Sequence, residues 1–238
     1  MKIWEDFLEE AKENLSSGIE CEIKMMHSKS ALTRFANSHI HQNVDEESAE
    51  VYLTIHKDNK TTTVSSNITA IKDVKEFIKK AEKSITNSPI DKGWAGLADK
   101  SSSYIEIKKF QESTPEERAI KVKEFISKGN ELNSAGYCST NISNYFAWNT
   151  NGLNSIDSSS SAFIDGIFRT ENSAGSAHRG AQSLNELDSE TAGSEASKLA
   201  RDGQNPEDIN PGKYEVILGN EAVSTILVFL AVYGFNAK

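Results

Sequence analysis

Apolar residues near the start of the chain recur at helical spacing. The positions are Ile3, Phe7, Leu8, Ala11 and Leu15. This spacing places them on one face of an amphipathic helix, predicted over residues 3–16. The sequence Ser16-Ser17-Gly18 is typical of a helix end.

From Glu20 onward the pattern changes to alternation, which predicts β-strands. The clearest case is residues 50–56, where Val51, Leu53 and Ile55 would lie on one face and the residues between them on the other. Turn-forming residues at Asn37-Ser38 and Asp58-Asn59-Lys60 predict hairpins between neighbouring strands. The predicted strands are residues 20–27, 30–36, 39–44, 50–56 and 61–67.

Two helices are predicted in the middle of the chain, with an irregular segment between them. The first begins at Asp73, where Glu76 stands at the capping-box offset. The second follows Thr114, an N-cap threonine with Pro115 at the first helical position and a glutamate at the third. The predicted helices are residues 73–85 and 115–128, and the irregular segment is residues 86–112.

Residues 135–183 are rich in serine, threonine, asparagine and glycine, with aromatic residues at strand-like intervals. This composition and spacing favour antiparallel strands joined by polar turns. A low-complexity linker is the alternative for residues 154–161, but aromatic residues recur on both sides, which favours the sheet.

The C-terminal fifty residues predict a helix, a short strand and a second helix. The first helix, residues 188–202, carries Ala192, Ala196 and Ala200 on one face. Residues 214–218 then predict a short buried strand. The last helix, residues 221–234, is capped by Asn220 and is apolar around nearly its whole circumference.

A helix that is apolar on all sides has to be covered on all sides, because each large apolar side chain left in water forgoes roughly 1.5–3 kcal/mol. Either the rest of the chain surrounds this helix, or its cover lies in further sequence or in a partner chain. The second alternative is favoured.

Composition narrows the class of protein. The 238 residues are 37% hydrophobic and 26% charged, and the net charge is -9 with no dense basic block. These values predict a globular protein that does not bind nucleic acid. Cys21 and Cys138 lack CxxC spacing and predict reduced thiols. The acidic N-terminus is unlike a signal peptide, and residues 222–235 are too few to cross a bilayer, so we expect a cytoplasmic protein without membrane contact.

Five residues stand out as candidates for contacts with a substrate or a partner. His39 and His41 are two apart on a predicted strand and could share a face, although no third ligand completes a metal site. His178 and Arg179 could recognise a peptide carboxylate, and Arg34 on the first hairpin could contact a partner. An ordinary exposed strand position is the alternative for each. The sequence has neither a Gly-x-Ser-x-Gly elbow nor a phosphate loop.

Three segments resemble the TldD/PmbA family, also called modulator-of-gyrase proteins. Residues 33–43 (TRFANSHIHQN) resemble an early family hairpin, and residues 134–136 with 149–153 resemble a second one. Residues 210–218 (NPGKYEVIL) resemble the strand that enters the family's C-terminal domain. The three occur in the family's order along the whole chain. Because family members run to well over 400 residues, the resemblance implies about the N-terminal half.

The resemblance implies cytoplasmic proteases that are dimeric or heterodimeric. In the TldD branch a helix after this strand carries His-Glu-x-x-x-His, whose histidines bind zinc and whose glutamate is the general base. Here Val228, Phe229 and Tyr233 occupy those positions. The departure implies the PmbA branch, also called TldE, which lacks catalytic and metal-binding residues and needs no cofactor. Zinc is then expected only on a TldD-type partner.

The resemblance further implies a role in proteolysis, as the ligand-lacking subunit of a metalloprotease that processes unfolded peptides. The partner would be a TldD-like subunit or a second copy of the chain. Two alternatives stay open: a peptidase whose catalytic residues lie beyond Lys238, and an interaction module without enzymatic activity.

Together these observations predict an α+β fold. Residues 1–185 would form a mixed or antiparallel sheet with helices packed on it. Residues 186–238 would form a connecting helix and the start of a strand-rich C-terminal domain.

Overall fold

The computed structural model describes residues 2–67, 73–100 and 110–235. They divide into two compact units, residues 1–205 and 206–238, each of which is described by itself. The helices are α1 (Lys2–Asn14), α2 (Val74–Ile85), α3 (Pro115–Ser127), α4 (Ser189–Asp202) and α5 (Asn220–Gly234). The strands are β1 (Glu20–Ala36), β2 (His39–Lys57), β3 (Lys60–Asn67), β4 (Asn133–Asn149), β5 (Asn154–Arg169) and β6 (Ala174–Ala181).

One six-stranded sheet organises the first unit, in the order β3-β2-β1-β4-β5-β6. Every pairing between neighbouring strands is antiparallel. The β1–β2 and β2–β3 hairpins turn at Asn37-Ser38 and Asp58-Asn59, whose φ angles lie between 50° and 59°. Positive φ at both central residues is the geometry of a two-residue turn between twisted strands, and Asn and Asp tolerate it well. The predicted turns and the predicted α+β fold are confirmed.

The helices of the first unit pack on one face of this sheet, which we term the helix face. On β1, Met25 and Thr33 are an even number of residues apart and therefore share that face. Met25 lies in a core cluster with residues of α1 and α2. Thr33 pairs with Cys138, which lies in a second cluster with residues of α3 and α4. The two helix pairs thus cover the two ends of the same face, and the opposite face, termed the outer face, carries the alternate residues.

The long strands differ from the predicted short ones. β1 and β2 each run without interruption through positions where breaks are predicted, residues 28–29 and 45–49. These positions are polar on both faces, so alternation of hydrophobicity fades there, but the backbone pairing with neighbouring strands continues. Residues 154–161, for which a linker is the alternative, form the first half of β5.

The strand predicted over residues 214–218 is wrong: these residues form neither strand nor helix, and Ile217 is 99% exposed. A short apolar run gives a strand only where a neighbouring strand takes up the backbone hydrogen bonds. Asn220 is the first residue of α5 and not its cap, because Gly219 occupies the cap position. The apolar helix itself is confirmed, and none of its side chains is buried.

The first compact unit includes α4, which packs against α3 and β6. The division between the two units therefore falls after Asn205, whereas the domain boundary expected from the sequence falls after residue 185. That domain boundary stays a prediction. Among the described residues, no helix combines the length and the apolar character needed to cross a membrane.

Replacing Thr114 with alanine should lower the free energy of unfolding by about 1 kcal/mol, because an N-cap hydroxyl satisfies a helix N–H. The Thr114 hydroxyl accepts from the Glu117 N–H, and the Glu117 carboxylate accepts from the Thr114 N–H in return. Asp73 has the same sequence signature, but its side chain makes no cap hydrogen bond to α2.

The matched variant Asp73→Ala should therefore change the free energy of unfolding less than Thr114→Ala does. Urea denaturation of both variants measures the contrast. Equal losses would show that the hydrogen bonds of the capping box add nothing to the stability of α3.

Candidate functional site

A buried arginine joins α3 to the sheet. Arg118 is 0% exposed, and its guanidinium donates to partners on three sides. Nε donates to Thr33 Oγ1 at 3.1 Å, Nη1 to the carbonyl and hydroxyl of Ser113 at 2.9 and 3.0 Å, and Nη2 to Asp45 Oδ1 at 3.1 Å. A guanidinium withdrawn from water needs such partners. The network fixes the N-terminal end of α3 over β1 and β2.

A cavity of about 270 Å³ lies beside this network, between strands of the sheet and the segment that precedes α3. Its lining residues are Lys29, Ser30, Ala31, Asp45, Glu46, Glu47, Glu112, Ser113, Thr140 and Ile142. Three of its four carboxylates have cationic or imidazole partners: Asp45 bonds Arg118, Glu112 bonds Lys29 and Glu47 bonds His27. The hydrogen bond to Glu112 raises the pKa of Lys29. The cavity is polar and largely charge-paired, and none of its lining residues is a histidine or cysteine that could act as a nucleophile or soft metal ligand.

A second polar network lies at one end of the outer face. The Thr61 hydroxyl donates to Asp91 Oδ2 at 2.5 Å and lies 2.8 Å from His56 Nδ1. Because the hydroxyl proton goes to Asp91, the imidazole Nδ1–H donates to Thr61. Trp94 stacks on the His56 ring at 4.6 Å and donates to Glu20 Oε2.

This network holds residues 91–94 against the hairpin of β2 and β3. The hydrogen bond from Thr61, followed by that from the Gly93 N–H, lowers the pKa of Asp91. The carboxylate therefore stays ionised, and the tie between loop and hairpin persists, to lower pH than for an ordinary aspartate.

The first-hairpin candidates Arg34, His39 and His41 lie at an exposed, irregular end of the β1–β2 hairpin. Arg34 is exposed and donates to Gln42 Oε1 at 3.4 Å across the hairpin. A β-bulge lies opposite Arg34 and Phe35, and the pairing passes from Ile40 to Gln42, so that His41 has no partner residue on β1. Alternation is interrupted between His39 and His41, so their spacing by itself does not determine whether the two rings share a face. His39 Nδ1 donates to the Asn37 carbonyl at 2.7 Å.

His178 and Arg179 lie on opposite faces of the edge strand β6, because they are consecutive residues. His178 is on the outer face, stacked on Phe163 at 5.4 Å and 3.4 Å from Asp165. Arg179 is on the helix face and binds Glu195 of α4. The two side chains cannot bind one carboxylate together, and Arg179 instead ties α4 to the sheet.

The three positions that the family's metal motif would occupy lie on α5. Val228, Phe229 and Tyr233 are 58%, 59% and 75% exposed, and the two aromatic rings stack at 6.1 Å. Valine and phenylalanine have no lone pair to offer a metal, and a phenol is not one of the usual zinc ligands. These side chains therefore do not fit a zinc ion or a general base.

Neither cysteine is accessible to a metal ion. Cys21 and Cys138 are free and fully buried, and burial raises the pKa of each thiol to about 12. Within the described ranges, no three His, Cys, Asp or Glu side chains come together in a way that could hold a metal ion.

The two edge strands, β3 and β6, have no neighbouring strand on their outer side in the described chain, although Lys60 at the start of β3 forms an isolated bridge with Ile90. β3 (KTTTVSSN) and β6 (AGSAHRGA) consist mostly of small residues. An open edge presents backbone N–H and C=O groups to which an extended peptide can add as a further strand.

Solved structures of other proteins share this fold. A candidate modulator of DNA gyrase from Thermotoga maritima matches with a TM-score of 0.70 and 18% identity, over 89% of this chain and 50% of its own. TldE from Thermococcus kodakarensis matches with a TM-score of 0.69 and 17% identity, over 83% and 47%. A candidate modulator of DNA gyrase from Bacteroides thetaiotaomicron matches with a TM-score of 0.64 and 15% identity, over 90% and 52%.

The chain therefore has the fold found in modulator-of-gyrase and TldE structures. It spans about half the length of each. The fold implied by the sequence resemblance is thereby confirmed. No model of a protein family and no curated protein matches the chain.

Sequence reasoning missed the Arg118 network, although a signal was available. Arg118, Val122 and Phe125 share the buried face of α3 at intervals of four and three residues. A charged residue in register with an apolar stripe indicates a buried ion that needs partners. The His56 network carried no such signal, because Trp94 and Asp91 belong to the segment predicted to be irregular.

Proposed function

We propose that the chain is a TldD/PmbA-family protein of the PmbA (TldE) type that handles unfolded peptides beside a metalloprotease subunit. One observation carries the proposal. In a chain with the fold of TldE, the positions of the metal motif hold Val228, Phe229 and Tyr233. The chemistry would then belong to a TldD-like partner carrying His-Glu-x-x-x-His, and zinc would be held there.

This subunit would contribute binding surface. The long antiparallel sheet ends in two open edge strands, β3 and β6, and an extended peptide can add to such an edge through its backbone alone. Recognition through the backbone suits substrates of varied sequence, which supports unfolded peptides as the substrate class.

The net charge bears on the class of ligand, and the expected location and partner complete the proposal. A net charge of -9 disfavours phosphate backbones, so we propose peptides as the ligands and no direct contact with nucleic acid. We place the protein in the cytoplasm, as a heterodimer with the TldD-like subunit or as a homodimer.

The proposal is tested by mixing the purified chain with a TldD-type protein that carries His-Glu-x-x-x-His. We expect cleavage of an unfolded peptide that requires both proteins, is abolished by a chelator, and is lost when the partner's motif glutamate becomes glutamine. Tyr233→Phe in this chain removes the one oxygen found in the three motif side chains and should leave cleavage unchanged.

Two other results would contradict the proposal. If the chain alone retains a stoichiometric transition metal and cuts the peptide in a chelator-sensitive manner, it is itself a metallopeptidase. If neither association with a TldD-type protein nor an effect on its cleavage is found, the chain is an interaction module of another kind.

A further inference from the structure

An apolar groove of about 380 Å³ lies on the outer face of the sheet, away from both helix pairs. Alternation along the neighbouring strands β2, β1, β4 and β5 brings its outer-face side chains together. Its outer-face lining includes Lys24, Met26, Tyr52, Tyr145, Ala147 and Asp157.

The strand register fixes the layout of this groove. One row across the sheet reads Tyr52, Lys24, Ala147, and the next reads Glu50, Met26, Tyr145, Asp157. Tyr52 and Tyr145 stand two strands and one row apart, which corresponds to roughly 12 Å at the usual strand spacing and rise per residue. Met26 of the intervening strand β1 lies between them, and Ala147 lies beside Tyr145 on β4. This width accommodates one extended chain or one long side chain.

Two tyrosine side chains are exposed on this face of the sheet. Tyr52 is 40% and Tyr145 is 43% exposed, and together with Met26 they line the groove on a face that is otherwise rich in serine and asparagine. A single exposed tyrosine on a strand needs no explanation, but adjacent aromatic walls around an apolar floor are the usual form of a binding groove.

The charges around the groove favour a cationic ligand. Lys24 pairs with Glu22 at 2.6 Å, which neutralises the only cation in the lining. Glu50 and Asp157 stand at opposite ends of the row that contains Met26 and Tyr145. The hydrogen bond to Glu50 raises the pKa of Tyr52, so this wall is an uncharged phenol at neutral pH.

We propose that this groove binds an extended peptide segment in which a lysine or arginine side chain stands next to an apolar residue. The aliphatic stem of the basic side chain packs on Met26, and its cationic head lies between the Tyr145 ring and the Asp157 carboxylate. A cation over a tyrosine face and beside a carboxylate gains from both. The inference rests on the proposed function, because it specifies which unfolded peptides the subunit binds.

Fluorescence anisotropy with the full chain tests the groove. The probe is a short labelled peptide of alternating leucine and arginine, flanked by glycine and serine. Tyr145→Ala should raise the Kd by about fivefold or more, the effect of roughly 1 kcal/mol for a partly desolvated cation–π contact. Tyr137→Ala is the matched control. Tyr137 lies on the outer face of the same strand and is 37% exposed, but it is outside the groove.

Charge is tested separately. Asp157→Asn should weaken binding, whereas Glu46→Gln, an exposed carboxylate of the outer face outside this groove, should not. A probe with glutamate in place of arginine should bind much more weakly than the original. Equal effects of Tyr145→Ala and Tyr137→Ala, or equal binding of the two probes, would overturn the inference.

Two further readouts separate this inference from its alternatives. Sedimentation of the parent chain and of Tyr145→Glu shows whether the groove joins two copies. A dimer that only the parent forms would replace the peptide proposal. If the groove variants bind the probe normally while the mixture with a TldD-type protein still cleaves peptides, the groove fails and the proposed function stands. Loss of that cleavage partnership in the parent chain contradicts the proposed function instead.

Discussion

Arg118→Ala is expected to lower the free energy of unfolding of the first unit by about 3 kcal/mol or more, the usual cost of breaking a buried charged network. The guanidinium is fully buried and donates to Thr33, Ser113 and Asp45. Alanine leaves a space where the side chain lay and removes a donor from the buried Thr33 hydroxyl. Both effects act on the same joint between α3 and the sheet.

Arg118→Lys should recover only part of this loss, since an ammonium cannot reproduce the forked geometry that reaches three partners at once. Asp45→Asn should cost less than Arg118→Ala, because the Asp45 side chain is 60% exposed and water screens its pairing.

The control for Arg118→Ala is Lys121→Ala on the same helix, where an i,i+3 pair with Glu124 is the interaction lost. The two side chains are 18% and 29% exposed, so the change should cost about 1 kcal/mol, from the lost pair and the lost packing of the lysine stem, which is well below the loss expected for Arg118→Ala. Urea denaturation monitored by circular dichroism measures all four variants. A loss for Arg118→Ala no larger than that for Lys121→Ala would mean that the network does not hold α3 in place.

Local structure in this chain could be predicted from the sequence where residues a few positions apart determine it. The Asn37-Ser38 turn, the Thr114 capping box and the alanine face of α4 all depend on residues a few positions apart, and all three are present. The full lengths of β1 and β2 were not readable, because their polar middle sections are strands only through pairing with neighbouring strands. Residues 214–218 show the converse: they are a short apolar run that predicts a buried strand, and they form none.

The candidate site shows the same division. The face opposite Val51, Leu53 and Ile55 was predictable, and it includes Tyr52 of the groove. The meeting of Tyr52 with Tyr145 was not, since they are 93 positions apart in the sequence and only the register of three strands brings them together. The structure separates His178 from Arg179 for a simpler reason: consecutive residues of one strand point to opposite faces of the sheet.

Gly175→Ala is expected to lower the free energy of unfolding by about 2–3 kcal/mol, because overfilling a closely packed contact forces backbone shifts. A Cβ at Gly175 of β6 would lie 2.3 Å from the Ala196 carbonyl oxygen and 2.3 Å from the Ala200 nitrogen. These are backbone atoms of α4, which cannot rotate away as a side chain can. The helix would have to move off the strand, and Ala196 and Ala200, both fully buried, would lose packing.

Gly193→Ala tests the other side of the same helix, where a Cβ would lie 2.4 Å from the Phe125 carbonyl oxygen of α3. Each change displaces α4, so the double variant should lose less than the sum of the single losses. Gly93→Ala is the matched control, since its Cβ would meet nothing closer than the Asp91 carboxylate at 3.6 Å. Its stability should stay unchanged or rise slightly, as the unfolded chain loses freedom. Should Gly175→Ala unfold at the same urea concentration as Gly93→Ala, the close approach of α4 to β6 would be refuted, and with it the role of small residues in seating this helix on the sheet.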